Sequence, residues 1–162
     1  MIKIKNLVYT LTCLAVSTII GAAFYEHLAV WPIAYSAPPA SLAMFQGEYA
    51  LNAGAFWTKI HPVTLLLFIT SLILFWKYKR RKNIVIAFLG YLVIMVVTFL
   101  YFVPELIAIN TTTYAETIDA SLVSRGQLWE QLSLLRLATL IVLAIILFLG
   151  LTKPDMRHIE KY

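Results

Sequence analysis

Residues 63–103 read VTLLLFITSLILFWKYKRRKNIVIAFLGYLVIMVVTFLYFV. Two apolar runs flank the basic cluster KYKRRK. A helix of roughly 20 apolar residues crosses about 30 Å of hydrocarbon, and in lipid only helices and closed barrels satisfy every backbone polar group. The stretch therefore predicts two antiparallel transmembrane helices that turn at a basic hinge. The first run is short, but it reaches spanning length if Lys59 to Pro62 and Lys77 sit at the two interfaces.

Outward from this hairpin, two further apolar segments give an up-down bundle of four transmembrane helices, an all-α polytopic protein. The expected spans are 7–26, 60–77, 84–103 and 129–151, with external loops at 27–59 and 104–128 and an inner loop at 78–83. Residues 1–162 form a single membrane domain in this reading. Composition agrees: 61% of residues are hydrophobic and only 13% charged, so the solvent is lipid. Lys3, Lys5, the hinge cations, Lys153, Arg157 and Lys161 fall on one side, which places both termini in the cytoplasm. The expected location is a bacterial inner (plasma) membrane. The net charge of +5 is then a topology signal, although KYKRRK also suits anionic lipid heads; no nucleic-acid partner is implied. Lys3 and Lys5 before an apolar run ending Gly21-Ala22-Ala23 also have the form of a signal peptide, and we expect the segment to be retained as the first span. The lone Cys13 allows no disulfide within the chain, which argues against a thiol-redox enzyme.

Polar residues inside the spans are the candidate functional groups. Helical spacing puts Thr10, Cys13, Ser17, Phe24 and His27 on one stripe of the first span, and Ser17 and Gly21 offer a small surface for helix approach. In the second, His61, Thr64, Phe68 and Ser71 share a face, and His61-Pro62 has the form of a helix start. Tyr91, Thr98 and Glu105 recur every seven residues in the third, with Pro104 leaving the direction of Glu105 open. Trp129 and Arg136 share a face of the fourth. The first external loop predicts turns at Trp31-Pro32 and Pro38-Pro39, then an amphipathic helix carrying Leu42, Phe45, Tyr49 and Phe56. It reads either as an interfacial aromatic belt including Trp31, or as a lid. Thr113 to Glu116 has capping-box form and predicts a short helix ending near Gly126. His158 stands apart in the tail.

Four kinds of chemistry fit these residues. Glu26, His27, His61, Glu105 and Glu130 supply imidazole and carboxylate ligands for iron, copper or zinc, but adjacent Glu26 and His27 point about 100° apart on a helix. Haem held by His27 and His61 is a weaker form of the same idea. Without metal, His61 or Glu105 serves as general base and Arg136 stabilises a developing oxyanion on a small lipophilic substrate. The fourth reading is non-catalytic, a membrane subunit or lipophile-binding bundle. A homo-oligomer is compatible with all four.

The run GAAFYEH, Trp31-Pro32, PPASLAMFQG, FWTKIHP and WEQLSLLR resembles the anthrone oxygenase-like family of four-helix membrane proteins. The resemblance implies a four-helix bundle and an oxygenase acting on an activated aromatic such as an anthrone, in which deprotonation to a carbanion or enolate precedes reaction with dioxygen. It matches His61 at the opening of the second span, and Trp129 and Arg136 in the fourth. Glu26-His27 lies outside the matched positions.

Overall fold

The computed structural model describes residues 4–154; Lys3, Arg157, His158 and Lys161 lie outside them. The elements are α1 (Ile4–Ala29), α2 (Trp31–Ala34), a 3-10 turn (Ala40–Phe45), α3 (Ala53–Phe75), α4 (Arg81–Val97), a π turn (Thr98–Phe102), α5 (Val103–Asn110) and α6 (Ala120–Leu149). Four helical stretches are long and apolar enough to cross a membrane: Ile4–Ala34, Ala53–Phe75, Arg81–Asn110 and Ala120–Leu149. The chain is an all-helical membrane protein, as the hairpin at 63–103 predicts.

The helices alternate in direction. At one end the α3–α4 turn is tied to both chain ends: Arg80 donates from Nε to the Lys153 carbonyl (2.9 Å) and from Nη1 to Asn6 Oδ1 (3.1 Å), and Asn83 Nδ2 donates to the Ile146 carbonyl (2.6 Å). Around the bundle, α1 packs on α3 and α6, while α4 packs on α6 and α3. Lipid tails are as apolar as leucine, so close packing and interhelical hydrogen bonds hold such helices together. Tyr9, Val16, Phe68, Phe75 and Tyr91 fill the core. Between α1 and α3 the Thr12 and Ser71 hydroxyls pair at 2.7 Å, and Tyr9 donates to the Leu147 carbonyl of α6 at 2.6 Å.

Several local expectations need correction. On α1 the inward stripe is Tyr9, Thr12, Cys13, Val16, Ile19 and His27, while Thr10, Ser17 and Phe24 are exposed. Thus the small surface at Ser17 and Gly21 does not serve packing within the bundle. Helix α3 begins not at His61-Pro62 but at Ala53, where Asn52 Oδ1 accepts the Ala55 N–H at 3.1 Å; a capped start two turns earlier outweighs the one ladder bond that Pro62 removes. The inward face of α3 at Thr64, Phe68 and Ser71 is as expected.

The third span does not end at Val103. Pro104 cannot donate to the helical ladder, and the chain accommodates it with the π turn just before it, in which the Val103 N–H bonds the Thr98 carbonyl, and then continues to Asn110. A widened turn inserts one residue, which sets later side chains back by about 100°. Phe102, Leu106 and Ile109 therefore follow Tyr91, Met95 and Thr98 into the interior, and Glu105 does not. The fourth helix also starts earlier than expected. Residues 111–119 are not helical, and Asp119 Oδ1 caps α6 by accepting from Ser121 (2.8 Å) and Leu122 (3.3 Å). Gly126 ends nothing: it is buried, and a Cβ there would stand 2.5 Å from Cδ1 of the Tyr35 ring that lies on it.

The connection between α1 and α3 is a strapped cap. The amphipathic helix shrinks to Ala40–Phe45 because Gly47, at φ 87°, breaks it; Tyr49 is 94% exposed. Trp31 is not in an interfacial belt but buried, packed edge-on against Trp129 with centroids 4.8 Å apart. Ser41 Oγ donates to the Ala34 carbonyl (2.6 Å), Gln46 Nε2 donates to the carbonyls of Asn110 (3.0 Å) and Thr112 (2.9 Å), and the Asp119 N–H donates to the Pro38 carbonyl (2.9 Å).

Candidate functional site

Beneath this cap the bundle encloses a cavity of about 900 Å³. Its walls come from one end of all four spans, and Phe45, Gly47 and Leu51 of the connection between α1 and α3 roof it. Most of the wall is apolar. The polar groups facing it include Glu26, His61, Thr98, Ser133 and Arg136. Phe99, Val103 and Ile107 on one side and Pro62 on the other line the cavity and are also exposed on the flank of the bundle. The cavity wall thus reaches the apolar flank of the bundle at α3 and α5.

Glu26, His61, Thr98, Ser133 and Arg136 are each held by a neighbour on another helix. His61 Nδ1 lies 2.6 Å from the Tyr91 hydroxyl of α4, and its ring stacks on Trp57 at 5.4 Å between centroids. With Nδ1 engaged by Tyr91, Nε2 is the nitrogen left for a ligand. Trp57 Nε1 in turn donates to Glu26 Oε1 at 2.9 Å, which fixes the carboxylate at the end of α1.

Arg136 enters from α6. Its Nη1 donates to Thr98 Oγ1 (3.1 Å), its Nη2 to Ser133 Oγ (2.9 Å), and its guanidinium lies 4.1 Å from the centre of the Phe102 ring. No carboxylate comes within 4 Å of it among the described residues. The π turn makes this arrangement, since it turns Phe102 inward beneath the cation. Trp129 Nε1 then donates to the Phe102 carbonyl at 2.9 Å and holds the turn against α6. No known family model, curated protein or solved structure matches this chain. The site's meaning thus rests on its chemistry.

His27 is not in the cavity wall. It is buried between α1 and α6, with Nε2 3.2 Å from Ser133 Oγ and Nδ1 3.9 Å from Glu130 Oε1. Ser133 accepts from Arg136, which can only donate, so its single proton is available to His27 Nε2; the Nδ1 hydrogen is then directed at Glu130 without reaching bonding distance, and Nδ1 has no hydrogen-bond partner. His27 and Glu130 thus back the serine that steadies Arg136.

The ligand set expected from the sequence is dispersed. Among the described residues no three His, Cys, Asp or Glu side chains approach one point. Glu26 and His27, successive on α1, reach different helices as the 100° between them requires. Glu105, displaced by the π turn, faces α6, where its Oε1 accepts from Arg125 Nε at 2.8 Å; it is absent from the cavity wall. A haem slot needs both imidazoles in one space, yet only His61 lines the cavity.

Missing from the sequence reading were Trp57 as the donor to Glu26, Tyr91 as the partner of His61, and Ser133 as the group shared by His27 and Arg136. The spacing of Ser133 and Arg136, three residues apart on one helix face, was a signal available for the last. The other two pairings join different helices and left none.

Proposed function

We propose that this protein is a membrane-embedded oxidoreductase of oxygenase type, acting on a lipophilic, enolisable aromatic carbonyl compound. The carrying observation is that a partnered imidazole and a half-buried guanidinium line one largely apolar cavity whose wall reaches the flank of the bundle. In this reading His61 Nε2 takes a proton from the carbon activated by the substrate carbonyl, and Tyr91 keeps Nδ1–H hydrogen-bonded so that the ring presents its basic nitrogen. Arg136, already oriented by Ser133 and Thr98, stabilises the oxygen of the resulting enolate. Reduction of dioxygen at the carbanion carbon gives a hydroperoxide on the substrate. Loss of water from it leaves a new carbonyl, so that a CH2 and O2 become C=O and H2O. An anthrone is the type of such a substrate, and the resemblance at His61, Trp129 and Arg136 supports the same choice.

In this reading both termini face the cytoplasm across a bacterial inner membrane, which the basic end of the bundle supports. The cavity then opens toward the outer leaflet. The enclosed apolar volume also suits a lipophile-binding protein without turnover, and one experiment separates the two. An anthrone is added to the purified protein in lipid nanodiscs, and exchange of its methylene hydrogens with deuterium is followed without oxygen, then quinone formation with oxygen. Catalysis predicts exchange without oxygen and quinone formation with it, both slowed about 10²- to 10⁴-fold by His61→Gln. Binding without exchange leaves a carrier, and absence of binding overturns the reading.

A further inference from the structure

The bundle is sharply polarised. Among the described residues every carboxylate, namely Glu26, Glu48, Glu105, Glu116, Asp119 and Glu130, lies toward the end that bears the cavity. The described residues of the opposite end carry cations alone, and there Tyr78, Lys79, Arg81, Lys82, Val85 and Ile86 line a groove of about 310 Å³. Its upper wall is cationic; its lower wall, one helical turn further along α4, is aliphatic and faces lipid, where Ile86 is exposed.

The turn that presents these cations is ordered. Arg80 straps it to Asn6 and Lys153, the Arg81 N–H bonds the Tyr78 carbonyl at 3.0 Å, and the Arg81 guanidinium lies 5.0 Å from the Trp76 ring centre. Lys79, Arg81 and Lys82 form no ion pair with any described residue. General positive-inside charge requires cations on this side. It does not require three of them around a concavity whose floor is apolar.

We propose that this groove binds the phosphodiester headgroup of an anionic glycerophospholipid. The phosphate sits among Lys79, Arg81 and Lys82, and an acyl chain descends along Val85 and Ile86. The occupant is a lipid rather than free phosphate because only a lipid uses both walls. The site lies at the opposite end from the cavity, so it stands whether or not the proposed oxidation is correct.

The test is native mass spectrometry of the full chain in neutral detergent, titrated with phosphatidylglycerol or phosphatidylcholine. The expected result is at least about tenfold tighter binding of phosphatidylglycerol. Arg81→Gln and Lys82→Gln each weaken it about fivefold, one cation's share of the attraction, while Lys77→Gln, an equal charge loss outside the groove, leaves it unchanged. Equal loss with Lys77→Gln would mean diffuse charge and overturn the proposal. Displacement by millimolar inorganic phosphate would overturn it in favour of a free-anion site, and equal affinity for the two lipids would overturn it outright. Should Arg81→Gln fail to fold, Lys79→Gln carries the same expectation and Arg81→Lys must retain binding.

Discussion

Replacing Arg136 by methionine separates the worth of the cation to the fold from its worth to the site. The guanidinium makes two hydrogen bonds, to Thr98 and Ser133, and lies over Phe102. Hydrogen bonds to a charged group contribute about 1.5–3 kcal/mol each and a desolvated cation–π contact about 2 kcal/mol, together about 5–8 kcal/mol. Against this stands the effective cost of removing the ion from water, several kcal/mol, with no carboxylate in contact to offset it. The two sides nearly cancel. Methionine keeps the length and apolar packing of the side chain, so Arg136→Met is expected to change unfolding stability by no more than about 1 kcal/mol. An anion-stabilising role demands the opposite of activity, because loss of one oxyanion donor costs about 10²- to 10³-fold in rate. Arg136→Lys keeps the charge but not the fork that reaches Thr98 and Ser133 together, and its activity should fall between the two. Unfolding in mixed micelles and methylene exchange on the same samples read both quantities. Destabilisation by more than about 3 kcal/mol would show Arg136 to be a structural ion. Wild-type exchange rates in Arg136→Met would refute the assignment of the oxyanion to this residue.

Trp129→Phe removes the donor to the Phe102 carbonyl and leaves that carbonyl buried beside the π turn; a loss of about 1–2 kcal/mol is expected, with weaker activity because Phe102 carries the cation. Unchanged stability would mean that the turn holds without Trp129. Glu105→Gln breaks only a partly exposed pair with Arg125, so stability should fall by less than about 1 kcal/mol and methylene exchange should be unaffected. A collapse of exchange in that variant would return Glu105 to the site.

The sequence alone determined the solvent of this protein and hence its class. Runs such as Ile84 to Val103 leave no choice but helices, because lipid cannot satisfy a bare backbone, and Thr64, Phe68 and Ser71 fell on the inward face because regular helical spacing maps directly onto it. It also isolated the ionisable residues near the ends of the spans, since a charge in hydrocarbon is too costly to be incidental. Tertiary structure decided which of them meet. One inserted residue at Thr98–Phe102 turned Glu105 out to Arg125 and brought Phe102 beneath Arg136, a rotation that no sequence period reports. The partners Trp57, Tyr91 and Ser133 stand on different helices from the groups they hold, and such pairings depend on helix depth and rotation, which only the packed bundle fixes.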